Sequence, residues 1–207
     1  MIQVLCYGDS NTWGYRPETD DRLIWEERYP GILSQKLGSD YRVTENGLCG
    51  RTTCFDSTWE PYVNGLKEAE ICAAVNAPID IAVIMLGTND CKDEYGAEAD
   101  AVGQGMGQVA EVFERAGARI ILAAPPVLRD LEKSPFYSEF GSGAKEKSER
   151  LASCYHSLAL RRGWEFLDVE TIARPGDFDG IHLDKEGHRR LAEGVYQLIT
   201  RKEVRDE

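Results

Sequence analysis

The sequence predicts an α/β protein in which a parallel sheet of five strands lies between two layers of helices. Short apolar runs alternate with helical patterns along the 207 residues. The run at residues 79–86 is apolar at every position after Asp80, which is typical of a strand that helices cover on both faces. Regular separation of strands by helices implies right-handed crossovers. These observations predict a three-layer α/β/α sandwich.

Each predicted element rests on its own pattern. Helical stretches end before Gly38 and Gly117, where C-terminal caps are expected. In the stretch 97–116, apolar residues recur at helical spacing and make one face. The predicted strands are residues 2–7, 41–45, 79–86, 119–123 and 164–167. The predicted helices are residues 26–37, 65–75, 97–116, 144–162 and 185–201.

Length and composition bound the class of protein. The chain fits a single domain spanning residues 1–207. A formal net charge of -12 argues against binding nucleic acid through its phosphates and against adsorption to anionic membranes. No apolar run approaches the roughly 18 residues that span a bilayer, and no secretory signal is visible, so we expect a cytoplasmic protein. The six cysteines form no CxxC pair and no cluster with histidine, so we expect no metal site. Their even count could indicate disulfides, but Cys6 and Cys72 fall in predicted buried elements and a chain of this length does not need cross-links, so we expect free thiols.

Three connections are longer than the fold requires, at residues 11–25, 48–64 and 125–143. All three follow predicted strands, so they should gather at the carboxyl ends of the sheet. Ligands of open α/β folds bind at that edge, and long ordered loops commonly carry function. We therefore expect the functional site there.

Two short strings supply the groups that acyl transfer requires. Gly-Asp-Ser occupies residues 8–10, at the end of the first strand, and Asp-Gly-Ile-His occupies residues 179–182. A serine hydroxyl needs a base to take its proton, and a carboxylate must hold the imidazole of that base in the correct tautomer. Ser10, His182 and Asp179 could fill these roles. The alternative to a catalytic role is a structural one, because serine and aspartate are also common in turns and at helix caps.

Candidate donors for a developing oxyanion follow two other strands. Asn-Gly-Leu-Cys-Gly ends at Gly50, and Gly-Thr-Asn-Asp includes Asn89. The backbone N–H groups of Ser10 and Gly50, with the Asn89 side-chain amide, would give three donors from three loops. Each string taken alone also reads as a plain turn.

Together the four strings resemble the SGNH, or GDSL-type, hydrolase family, in which Ser, Gly, Asn and His occur in this order. The fuller strings GDSNTWGY, GRTT and IMLGTND resemble its small arylesterase and acyltransferase branch. The resemblance implies a flavodoxin-like sheet, a Ser10-His182-Asp179 triad and an oxyanion hole from Ser10, Gly50 and Asn89. It also implies a small ester as substrate, no cofactor, and a homo-oligomer. The name motif of the family has Leu where this chain has Asn11, which puts substrate preference in doubt.

The hypothesis is a serine esterase that hydrolyses, and also transfers, short acyl groups. Alternatives are a carbohydrate acetylesterase, a thioesterase or lysophospholipase, and a flavodoxin-like phosphate-binding module. The last lacks a glycine-rich phosphate loop and leaves Asp179 and His182 without a role. His156 and His188 are interpreted as packed or solvated, and Asp177 as a weaker candidate than Asp179. The expected substrate-binding residues, for which packing or subunit contact is an equal explanation, are Asn11, Trp13, Tyr15 and Phe136.

Overall fold

The computed structural model describes residues 1–201, so residues 202–207 of the predicted domain lie outside the described residues. The strands are β1 (Ile2–Gly8), β2 (Tyr15–Arg16), β3 (Asp21–Arg22), β4 (Tyr41–Gly47), β5 (Ile81–Met85), β6 (Arg119–Ala124) and β7 (Glu165–Asp168). Five of them form one parallel sheet in the order β4-β1-β5-β6-β7. This is the flavodoxin-like order, so the predicted fold class is confirmed.

Helices cover both faces of the sheet. They are α1 (Ser10–Trp13), α2 (Tyr29–Leu37), α3 (Gly65–Asn76), α4 (Ala99–Arg115), α5 (Tyr137–Phe140), α6 (Ala144–Arg162) and α7 (Lys185–Thr200). The core on one face contains residues of α3, α4 and α6, and the core on the other contains residues of α2 and α7. Within residues 1–201, none of the helices has the length and apolar character to cross a membrane.

The central strand β5 shows why the sequence builds two cores. All five of its residues are buried. Side chains alternate between faces, so Ala82 and Ile84 join one core while Val83 and Met85 join the other. A strand of this kind has no face for water, and its sequence is therefore apolar throughout. The same two cores bury Cys6 and Cys72.

The structure differs from the prediction at several segments, including the start of one helix and the first long connection. The helix predicted for residues 26–37 begins at Tyr29, because Arg28 is extended and separates it from a 3-10 turn at Trp25–Glu27. Pro30 lies in the first turn of α2, where its missing N–H removes no helical hydrogen bond. The predicted loop 11–25 contains α1 and an antiparallel ribbon of β2 and β3, which are too short to leave a periodic pattern.

Glycine at position 8 lets α1 pack against the end of β1. A Cβ at Gly8 would lie 2.0 Å from Thr12 Oγ1 and 2.7 Å from the Met85 carbonyl oxygen. We expect Gly8→Ala to lower the free energy of unfolding by about 1–3 kcal/mol, measured by urea denaturation. The control is Gly143→Ala, because a Cβ there meets nothing within 4 Å. Equal losses in the two variants would contradict the packing argument.

Candidate active site

The carboxyl ends of three neighbouring strands bring the sequence motifs together. Gly8 at the end of β1 pairs with Gly47 of β4 on one side and with Met85 of β5 on the other. The segments that follow these strands contain Ser10, Gly50 and Asn89, and all three residues line one cavity of about 180 Å³. The sheet topology therefore supplies the site.

Asp9 holds Ser10 at the start of the one-turn helix α1. The Asp9 carboxylate accepts the Asn11 N–H at 2.9 Å, and the Asp9 carbonyl accepts the N–H groups of Thr12 and Trp13. Burial raises the pKa of Asp9 to about 6, against the Asn11 N–H and the charge of His182, which lower it. The turn that carries the Ser10 hydroxyl is thus fixed by three hydrogen bonds to one residue.

Ser10, His182 and Asp179 form one hydrogen-bonded chain. Ser10 Oγ lies 2.9 Å from His182 Nε2, and His182 Nδ1 lies 2.5 Å from Asp179 Oδ2. Burial alone would raise the pKa of Asp179, but the hydrogen bond to His182, the charge of His182 and two backbone N–H groups outweigh it and lower the pKa. An ionised carboxylate only accepts, so Nδ1 donates to it and Nε2 is left to accept the Ser10 hydroxyl proton.

The loop that carries Asp179 and His182 is held from several sides. Asp179 Oδ1 accepts the N–H of Ile181 at 2.9 Å and of His182 at 3.0 Å. Gly180 has φ +68°, and a Cβ there would lie 1.7 Å from the Arg129 carbonyl oxygen, so only glycine allows this close approach. The Arg129 N–H in turn donates to the Gly180 carbonyl at 2.9 Å.

The candidate oxyanion donors belong to Ser10, Gly50 and Asn89, which all line the cavity. Gly50 has φ +80°. Within residues 1–201, the N–H groups of Ser10 and Gly50 donate to no protein acceptor. One amide hydrogen of Asn89 is held by the Arg51 carbonyl at 3.1 Å, which orients the group and leaves its second hydrogen for another acceptor. Three residues that line the cavity therefore each keep an N–H hydrogen free for another acceptor.

Two buried residues that were not singled out from the sequence connect these loops. Arg51 donates to the Gly8 carbonyl at 2.8 Å and to the Asn46 carbonyl at 2.6 Å. Asp90 accepts the Thr53 N–H at 2.9 Å and the Thr53 hydroxyl at 2.5 Å. Burial raises the pKa of Asp90 to about 7, although the bonds from Thr53 lower it. Arg51 follows Gly50 and Asp90 follows Asn89 in sequence. This adjacency to the motifs is the feature of the sequence that could have indicated a role for them at the site.

The four expected substrate-binding residues divide into two pairs. Tyr15 and Phe136 line the cavity, and their rings lie 4.7 Å and 6.0 Å from the imidazole of His182. Asn11 and Trp13 do not line it. The Asn11 side chain is buried and bonds to backbone, while the Trp13 ring lies 4.6 Å from the Arg22 guanidinium. Three polar residues that no sequence motif indicated also line the cavity: Glu60, Lys92 and Glu139.

The remaining titratable candidates lie outside this hydrogen-bonded chain. His188 is buried in α7 and accepts the Tyr29 N–H at 3.3 Å, and burial lowers its pKa to about 3. His156 is exposed on α6, with its ring 5.1 Å from that of Phe166. Asp177 is exposed, whereas Asp179 bonds to His182. The packed or solvated interpretation of both histidines agrees with these positions.

Comparison with known proteins identifies the class and the family. The fold, and the proteins that it matches, are those of carboxylic ester hydrolases. The chain belongs to the GDSL-like lipase/acylhydrolase family, whose model matches residues 6–190. The family resemblance noted from the sequence is thereby confirmed.

Solved structures and one curated relative agree with this family. An aryl esterase of M. smegmatis is 29% identical with a TM-score of 0.92, over 96% of this chain and 98% of that one. A carbohydrate acetylesterase of Sinorhizobium meliloti is 31% identical with a TM-score of 0.92, over the same shares of the two chains. An acetylxylan esterase of Xylanibacter ruminicola is 26% identical over 96% of this chain. The chain spans only 43% of that enzyme's length.

Proposed function

We propose that this protein is a serine esterase that hydrolyses short acyl esters of small molecules, with Ser10 as nucleophile. The observation that carries the proposal is the continuous chain from Ser10 Oγ through the His182 imidazole to Asp179, with contacts of 2.9 Å and 2.5 Å, at a cavity lined by oxyanion donors. Nucleophile, base and orienting carboxylate stand in the order that acyl transfer requires.

The reaction follows from the geometry. Ser10 Oγ attacks the acyl carbon while His182 Nε2 takes the hydroxyl proton, and Asp179 stabilises the imidazolium. The carbonyl oxygen becomes an anion, and the Ser10 N–H, the Gly50 N–H and the Asn89 amide donate to it. His182 then gives its proton to the departing alcohol as the ester C–O bond breaks. Water attacks the acyl-enzyme with the same base and releases the carboxylic acid, and an alcohol in place of water gives acyl transfer.

The cavity supports a short acyl group. Its volume is about 180 Å³, enough for a small acyl group. Apolar walls come from Phe136, Phe140 and Ile181. An acetyl-sized group can be buried against these walls, which supports a short acyl ester as substrate.

A carbohydrate acetylesterase is the second candidate, favoured by the polar part of the same cavity. Glu60, Lys92 and Glu139 line it, and Lys92 Nζ lies 2.8 Å from Glu139 Oε2. Carboxylates and an ammonium group can form hydrogen bonds with the hydroxyl groups of a sugar. Structural similarity to a carbohydrate acetylesterase adds weight to this candidate.

Labelling with a fluorophosphonate, followed by peptide mapping, tests the nucleophile. We expect a single adduct on Ser10 and loss of esterase activity in proportion to labelling. Tight nucleotide binding without labelling would instead support a phosphate-binding module. Rates on 4-nitrophenyl acetate and on an acetylated sugar then separate the two esterase candidates.

Replacing Asn89 by alanine tests the oxyanion donors. We expect kcat to fall by about 10² to 10³, because one preorganised donor is lost in the transition state, while KM changes little. Steady-state kinetics on 4-nitrophenyl acetate measure both constants. The control is Asn76→Ala, since the Asn76 amide donates only within α3, to the Cys72 carbonyl and sulfur. A kcat for Asn89→Ala as high as that of the control would remove Asn89 from the oxyanion hole.

A further inference from the structure

Asn11, the residue after the candidate nucleophile, connects α1 to the loop of His182. Its side chain is 1% exposed. Asn11 Oδ1 accepts the Leu183 N–H at 2.8 Å, and Asn11 Nδ2 donates to the Ile181 carbonyl at 3.4 Å. The two backbone groups stand on either side of His182 in sequence. One side chain thus bonds to the chain both before and after the histidine.

Apart from the bond between Ser10 and His182, the other hydrogen bonds of His182 and of its loop within residues 1–201 do not reach α1. The bond from Asp179 is local, because the two residues are three positions apart in one loop. The hydrogen bond from the Arg129 N–H to the Gly180 carbonyl ties that loop to the connection after β6. Within the described chain, three hydrogen bonds join this loop to α1. One lies between Ser10 and His182, and Asn11 makes the other two.

An asparagine side chain has the acceptor and the donor that these two hydrogen bonds require. An amide offers one acceptor and one donor, which complement an N–H at residue 183 and a carbonyl at residue 181. Leucine, which the name motif of the family carries at this position, can make neither bond. Aspartate could accept the Leu183 N–H but could not donate to the Ile181 carbonyl. The departure from the motif therefore adds a connection between two loops.

We propose that Asn11 is a positioning residue that holds His182 at hydrogen-bonding distance from Ser10. This rests on the proposed function, since it assigns His182 the role of base. Asn11 acts through the backbone and touches no substrate, because its side chain points to the histidine loop and does not line the cavity. Asn11 thereby sets the alignment of His182, whereas the residues that line the cavity determine which acyl groups are accepted.

Kinetics on a series of esters separate alignment from a role in the acyl pocket. We expect Asn11→Leu to lower kcat by about 10²-fold on 4-nitrophenyl acetate, propionate and butyrate alike, the scale for a misplacement of about 1 Å. KM and the ratios among the three esters should stay within about twofold of wild type. A changed ratio with kcat on the acetate retained would overturn the proposal, and so would unchanged kinetics.

The matched control is Asn64→Leu at the N-terminus of α3. The Asn64 amide also bonds to two backbone groups, donating to the Cys54 carbonyl at 2.8 Å and accepting the Lys67 N–H at 3.2 Å. We expect Asn64→Leu to lower Tm as much as Asn11→Leu while kcat stays within about threefold of wild type. An equal fall in kcat in both variants would mean that general loss of structure explains the effect, and the proposal would fail.

Asn11→Asp keeps the proposal testable if the leucine variant does not fold. Aspartate retains the acceptor for the Leu183 N–H, so we expect a folded protein with kcat between those of wild type and a fully misaligned enzyme, and with wild-type ester ratios. The rate of fluorophosphonate labelling should fall in parallel. Wild-type kcat and labelling rate in Asn11→Asp would overturn the proposal. An inactive wild-type protein would instead refute the proposed function.

Discussion

Ser10→Ala is expected to lower kcat for 4-nitrophenyl acetate by about 10⁶-fold, the scale seen when a serine nucleophile is removed. Without Oγ there is no group to form the acyl-enzyme and no proton for His182 to take. Any residual rate would come from water activated in the same cavity and from the oxyanion donors. Steady-state kinetics with a burst-phase measurement test this, because the acyl-enzyme burst should also disappear.

We expect Ser10→Ala to lose activity because the nucleophile is missing, and not because the protein unfolds. Ser10 is 6% exposed, and the substitution removes one oxygen without altering the backbone of α1. We expect the thermal midpoint to stay within a few degrees of wild type. Ser153→Ala is the control, since Ser153 is exposed on α6 and its hydroxyl donates to the Arg150 carbonyl. A Ser10→Ala protein that retained a tenth of wild-type kcat would rule out Ser10 as nucleophile.

Asp179→Asn is expected to lower kcat by about 10⁴-fold. The Asp179 pKa is below its ordinary value, so the group that faces His182 Nδ1 at neutral pH is a carboxylate. An amide nitrogen in its place would donate to Nδ1 and leave the ring proton on Nε2. That tautomer cannot accept the proton of Ser10. The amide oxygen can still accept the N–H groups of Ile181 and His182, so the loop keeps its shape.

The pH–rate profile and a neighbouring variant complete this test. Activity of Asp179→Asn should recover in part at alkaline pH, where hydroxide replaces the base. Asp177→Asn removes an exposed carboxylate two residues away and should leave kcat within about twofold of wild type. If the two variants behaved alike, Asp179 would not be the orienting carboxylate.

The layout of the site could be read from the sequence because buried strands and the motifs after them are local patterns. The apolar run before Gly87 reports burial on both faces, and β5 lies at the centre of the sheet. Parallel strands place their following loops at one edge, so the neighbourhood of Ser10 and Asn89 could be inferred without coordinates. Both residues line the same cavity.

Contacts between distant residues could not be inferred in this way. Asn11 was expected to alter the acyl pocket, but a single position in a motif does not show which way a side chain turns. Its partner Leu183 lies 172 residues away. The same limit applies to Arg51, whose buried guanidinium connects β1 and β4. The first residue of α2 could not be predicted either, because it depends on the extended backbone of one residue, Arg28.

The separation of Ser10 from His182 has a consequence for biosynthesis. The two residues are 172 positions apart, so a ribosome has made most of the chain before the base exists. A nascent or proteolysed fragment that ends before residue 182 contains Ser10 and the oxyanion donors but lacks the His182 imidazole that activates the serine. Under the proposed mechanism, ester cleavage therefore begins only once the chain extends past His182 and the His182 loop has bonded to α1.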